Sequence, residues 1–139
     1  MDERNVNIEG TAHDIVDSAI KVHRALGPGL LESAYQACLT HDLRKRQHEV
    51  ECEVPVPLRY DGVLIEVGYR LDMRIDGVIV VENKTVEEIL PVHHAQILTY
   101  LKLTSLSLGF LINWHVPLLR DGIKRVVLNH PSLPMTYHP

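Results

Sequence analysis

Val78-Ile79-Val80-Val81-Glu82-Asn83-Lys84 is the stretch that decides the fold. Four consecutive β-branched residues read as a strand. Side chains along a strand alternate faces with period two, so Glu82 and Lys84 fall on the same side. A strand that is apolar in its first half and then sets an acid and an amine on one face points to a reactive site at the end of a sheet. A surface salt bridge beyond a buried strand would look the same in isolation. The neighbouring residues therefore carry the decision.

Working outward, Asp72 precedes Glu82 on the strand before it. Asp76-Gly77 is the turn between them. A strict two-residue loop would set Asp72 opposite Val81, on the wrong face from Glu82. A three-residue loop, Ile75-Asp76-Gly77, with glycine left-handed at a bulge, sets Arg74 opposite Val78. Arg70, Asp72 and Arg74 then share a face with Val80, Glu82 and Lys84. Convergence of the two carboxylates requires that bulge or an equivalent one-residue shift. Two converging carboxylates, with a carbonyl and waters, make a hard oxygen site suited to Mg²⁺ or Mn²⁺. Lys84 beside them can orient a water or stabilise developing negative charge, and Arg70 and Arg74 become candidate substrate contacts.

The rest of the chain divides by period. Ile15, Ala19 and Val22, with Val16 and Ile20, predict a helix from Thr11 to about Ala25, capped by Thr11 or the residue before it. Gly27-Pro28-Gly29 ends it. A second helix is expected from about Leu30 to Arg46. Val54–Tyr60, Val63–Tyr69, Leu71–Ile75 and Val78–Lys84 predict an antiparallel meander, with Asp61-Gly62 and Asp76-Gly77 as turns. Pro91 to Leu103 reads as a third helix with proline in its first turn. Leu106–Trp114 is a buried strand and Ile123–Leu128 a last one, followed by an irregular tail, 129–139. These elements predict an α/β or α+β domain with a mixed sheet and helices packed on its faces.

The helices add polar candidates. Glu32 and Tyr35 lie three apart on one face of the second helix. They are a possible metal ligand and phosphate contact. Gln96 and Tyr100 share a face of the third helix, with His93 one turn earlier, and suit hydrogen bonds to a substrate backbone or an attacking water.

Bulk properties set limits. At 139 residues one domain is expected, with a core over about 11–128, burying roughly two-thirds of its unfolded surface. A net charge of −4 argues against tight, non-specific attraction to nucleic acid, although Arg44-Lys45-Arg46 and Lys124-Arg125 are local basic clusters. No apolar run approaches the ~20 residues needed to cross a bilayer, so no membrane partner is expected. Two cysteines do not make a disulfide framework and point to a reducing, cytoplasmic setting. Cys38-x-x-His41 with His48-x-x-x-Cys52 offers zinc-type ligands. Cys38 falls on an apolar helix face, however, and a free thiol is its expected state. Small size and apolar strands are compatible with a homodimer.

Gly29-Leu30-Leu31-Glu32-Ser33-Ala34-Tyr35 resembles the G-x-x-E-x-x-Y signature of the GxxExxY protein family. Asp72, Glu82-Asn83-Lys84 and Gln96-x-x-x-Tyr100 are similar to the D…E-x-K…Q-x-x-x-Y pattern of the PD-(D/E)XK nuclease superfamily, nearest its RecB-like branch. Leu71 stands where the superfamily name has proline. The resemblance runs from about Thr11 to Leu128. It implies a restriction-endonuclease-like core, a central mixed sheet flanked by helices. It implies Mg²⁺ or Mn²⁺ held by Asp72 and Glu82 with Glu32 as a helix-borne auxiliary acid. Lys84 would be catalytic, Gln96 and Tyr100 an accessory motif, and DNA or RNA the substrate. The competing expectation is a non-catalytic module of the same fold that binds nucleic acid or a protein partner.

Overall fold

The structure, a computed structural model, describes residues 7–130. Helices α1 (Ile8–Leu26) and α2 (Glu32–Lys45) lead into strands β1 (Val50–Pro55), β2 (Leu58–Tyr60), β3 (Val63–Ile65), β4 (Arg70–Ile75) and β5 (Ile79–Lys84). Helix α3 (Pro91–Thr104), β6 (Leu108–Asn113), a short 3₁₀ turn and β7 (Ile123–Val127) complete the order. The nine-residue stretch 131–139 of the expected tail lies outside the described residues.

Strand β5, whose first five residues are all buried, occupies the centre of a five-stranded sheet ordered β1-β4-β5-β6-β7. It runs parallel to β6, and every other neighbouring pair is antiparallel. The crossover from β5 to β6 contains α3, as a parallel pair requires. The sheet is thus mixed, as the sequence reading held. One core packs Ile15, Ala19, Tyr35, Leu39 and Leu43 of α1 and α2 against Met73, Ile75, Ile79, Val81 and Phe110. A second packs Ile97, Tyr100 and Leu101 of α3 against Leu71, Val80, Leu111 and Val126 on the other face. Val80 and Val81 point into different cores, which is why the run is apolar without alternation.

Two expectations change. The meander is interrupted: β1 pairs directly with β4, while β2 and β3 form a separate two-stranded hairpin. Pro55 and Pro57 explain the break, because neither can donate to a ladder. The last link before the hairpin is Val56 N–H to Tyr69 C=O, 2.8 Å. Second, α1 begins earlier than Thr11. Its cap is Asn7, whose side chain accepts from the Gly10 N–H at 3.0 Å. Among the described residues the zinc-type ligands do not gather. Both cysteines are free, and His48 lies between Asp14 and Asp76, 2.7 Å from each. Among the described residues no helix is long and apolar enough to cross a membrane.

Candidate active site

The β4–β5 turn sets the register on which the site depends. Asp76 and Gly77 both have positive φ, +53° and +70°, and Val78 N–H bonds to Ile75 C=O at 3.0 Å. That is the primed turn favoured by Asp-Gly. The ladder then pairs Ile75 with Ile79, Arg74 with Val80 and Met73 with Val81. Val78 is therefore the extra residue, a one-residue bulge. The shift needed for convergence is present, although the bulge falls at Val78 and sets Arg74 against Val80, not Val78.

Continuing that register would bring Asp72 opposite Glu82. There the two carboxylates take over from the main-chain ladder. Asp72 N–H donates to Glu82 Oε2 at 2.8 Å, and Asn83 N–H donates to Asp72 Oδ2 at 2.7 Å. Each acid is fixed by the main chain of the opposite strand. Glu82 Oε1 and Asp72 Oδ1 carry no hydrogen bond within the described residues.

The strands also turn over here. Met73 packs toward α2 but Leu71 toward α3, although residues two apart on a regular strand share a face. On β1 the same change occurs between Val50 and Val54, and Glu53 between them has φ +54°. A left-handed non-glycine residue beside a carboxylate pair is strain of the kind that concentrates at functional sites. Consequently Arg70, Asp72 and Arg74 do not share one face. Asp72 opens toward α2, where it lines a groove with Glu32 and Glu53.

The electrostatics are those of crowded acids. Glu82 is only 4% exposed. Burial, reinforced by the charge of Asp72, lifts it to about 8. Burial, with the charge of Glu32 adding to it, lifts Asp72 to about 6. The two acids titrate as a pair, and a charge on either opposes a charge on the other. Glu32, at the first position of α2, is also raised by burial, while the Lys84 ammonium opposes the shift. Burial and then the charge of Glu82 push the Tyr100 hydroxyl up. Asp72, Glu82, Glu32, Lys84 and Tyr100 are therefore within electrostatic reach of one another. Gln96 joins them by donating to the Tyr100 oxygen at 3.2 Å.

Other candidates sit apart. The Tyr35 side chain is fully buried and stacks on Trp114 with ring centroids 4.7 Å apart. Its hydroxyl donates to Gly27 C=O and accepts from Leu30 N–H, so it closes the α1–α2 connection. His93 accepts from Leu90 N–H at 2.9 Å, capping α3. Arg74 forms a two-pronged ion pair with Glu51 at 2.8 and 2.9 Å. Arg70 stays exposed, its guanidinium 3.4 Å from Glu53 C=O.

One residue had no assigned role. Asn83 is fully buried and accepts from Trp114 Nε1 at 2.9 Å while donating to Gln36 at 3.2 Å. It locks the strand carrying Glu82 and Lys84 to α2. Period two already placed its side chain opposite theirs, and a polar residue there, within a buried strand, was the available signal.

The donors suit a hard divalent cation: buried Glu82 and half-buried Asp72 with one free oxygen each, whose mutual repulsion a cation would relieve. Among the described residues no set of three or more His, Cys, Asp or Glu side chains is gathered to hold an ion. Glu32 is thus an electrostatic neighbour in this arrangement.

A mixed sheet with α1 and α2 on one face and α3 on the other, carrying D…E-x-K at the end of its central strands, defines a nuclease-like α/β protein. The family model described as the PD-(D/E)XK nuclease superfamily matches residues 9–126, and the chain belongs to that superfamily. No curated protein and no solved structure matches it significantly.

Proposed function

We propose that the chain is a Mg²⁺- or Mn²⁺-dependent nuclease that hydrolyses phosphodiester bonds of DNA or RNA. The observation that carries this reading is the Asp72–Glu82 pair, fixed by reciprocal main-chain bonds with Lys84 beside it. Asp72 and Glu82 would hold the cation, with water and main-chain oxygen completing its shell and Glu32 adding negative charge nearby. When bound, such an ion supplies a more acidic water and neutralises charge on the phosphate. Lys84 orients the attacking water and stabilises the charge that builds on the phosphate oxygens. Gln96 fixes the Tyr100 hydroxyl, and the two act together as hydrogen-bonding groups toward the substrate backbone. Superfamily membership supports the nucleic-acid substrate, and the two free thiols support a reducing, cytoplasmic setting.

The test is a panel of single- and double-stranded DNA and RNA substrates in Mg²⁺ or Mn²⁺, run beside Lys84→Ala. The expected result is cleavage of at least one substrate, reduced about 100-fold or more in the variant. Binding without cleavage that survives Asp72→Ala and Glu82→Ala would replace the nuclease with a binding module.

A further inference from the structure

Helix α2 and the edge strand β1 lie side by side, joined at three levels. Gln36 donates to Glu53 at 2.9 Å, Thr40 meets Cys52 Sγ at 3.4 Å, and Arg44 donates to Val50 C=O at 2.7 Å. Along this seam runs an open groove of about 820 Å³. Its α2 wall includes Ser33, Ala37, His41 and Lys45, successive residues four apart on one helix stripe. Asp72 and Glu32 form one end and Lys45 the other. The thirteen steps from Glu32 to Lys45 span about 20 Å at 1.5 Å per residue, enough for a few nucleotides.

The charge along the groove is graded. Acids crowd the Asp72 end, where a cation is to be held, and His41, Arg44 and Lys45 are exposed at the far end. Within the described residues no ion pair engages those three. The next residue differs: Arg46 is bound to Asp17 at 2.8 Å and Asp42 at 3.3 Å. In a chain of net charge −4, exposed Lys45, and Arg44 held by the Val50 carbonyl with no acid opposite it, stand beside a groove that ends on Asp72 and call for an anionic occupant.

We propose that this groove seats one phosphodiester strand of the substrate, its phosphates running from the carboxylate pair toward His41 and Lys45. The proposal rests on the nuclease reading above and adds to it a direction and a footprint. Lys45 acts as a phosphate contact remote from the cleaved bond, and the small side chain of Ala37 leaves room for the strand to pass.

The experiment uses the full chain carrying Lys84→Ala, in Mg²⁺, and fluorescence anisotropy of labelled single-stranded DNA and RNA of about 12 nucleotides. Adding Lys45→Ala is expected to weaken binding about fivefold at low salt. It should also lower the slope of log K against log salt by about 0.7, the value for one lost single-strand phosphate contact. Lys45→Arg should bind within about twofold of the parent. Ala37→Trp should block the groove and weaken binding about tenfold or more, and Lys124→Ala, on the opposite edge strand β7, should change nothing. Parent-like binding by both Lys45→Ala and Ala37→Trp would overturn the proposal. So would an equal loss on Lys124→Ala, which would mark diffuse attraction. If the protein with Lys84 intact cleaves none of the substrates but the Lys45 effect persists, the nuclease reading fails and the groove stands. If cleavage occurs and the groove variants bind normally, the groove alone fails.

Discussion

At the scale of single residues, Asp72 and Glu82 each give one oxygen to the opposite strand's main chain and keep one free. Their ordinary values are 3.8 and 4.5, and in the fold they stand near 6 and 8. Both are raised, so between about pH 4 and pH 8 this pair holds more protons in the folded chain than in the unfolded one. Its contribution to stability falls as pH rises through that window. In chelator, the thermal midpoint should therefore drop between about pH 5 and pH 8.5, by the equivalent of a few kcal/mol at about 1.4 kcal/mol per unit. Glu82→Gln should flatten that decline while abolishing cleavage. An unchanged slope in Glu82→Gln would mean that the pair is not the source. Asn83 makes a different contribution: Asn83→Ala strips partners from buried Trp114 Nε1 and from Gln36. A loss of about 2–3 kcal/mol in denaturant unfolding is expected. The acids and the lysine were legible in E-x-K and in the upstream aspartate. The burial of Tyr35 was not, because helical spacing gives a residue's face but not whether a loop carbonyl waits for its hydroxyl.

Among the elements, the β4–β5 turn matters most, since its bulge places one carboxylate against the other. Asp76, in that turn, is held by Thr11 at 2.9 Å, by Glu49 N–H at 2.8 Å and by His48 at 2.7 Å. His48 reaches Asp14 of α1 with its other nitrogen. Burial works against protonation of this imidazole, but its hydrogen bonds to Asp14 and Asp76 outweigh that, and its value is raised. Its contribution is complete below about 6.5 and is lost as pH rises through the raised value. His48→Ala should thus cost about 2 kcal/mol near pH 6 and clearly less near pH 8.5, as read by urea unfolding at both pH values. A cost independent of pH would leave only packing as its role. At the far side of the sheet, a Cβ on Gly122 would sit 2.2 Å from Asn113 O. Gly122→Ala is expected to lower stability by about 2 kcal/mol or more, by forcing β6 and β7 apart. Elements marked by periodicity or by Asp-Gly were readable from sequence: the three helices, β5 and the last two strands. The pairing of β1 with β4 was not, because an inserted hairpin leaves no mark on period two. Only Pro55 and Pro57 hinted at the interruption.

For the whole molecule, the layered arrangement concentrates destabilising charge at one end of the sheet and leaves a cation to relieve it. Added Mg²⁺ or Mn²⁺ should raise the thermal midpoint near pH 8, by about 2.7 kcal/mol at a hundredfold excess over the dissociation constant. The gain should shrink near pH 5.5, where both acids are largely protonated, and vanish in Asp72→Asn. A metal effect of the same size in that variant would place the ion elsewhere. The same architecture provides its own reporter. Trp114, the one tryptophan of the chain, is sealed beneath Tyr35 and tied through its indole nitrogen to Asn83. That asparagine lies in sequence between the acid and the amine of the site. Any ligand that shifts the end of β5 therefore alters the polarity around the sole indole fluorophore, and its emission gives a label-free optical titration of the site.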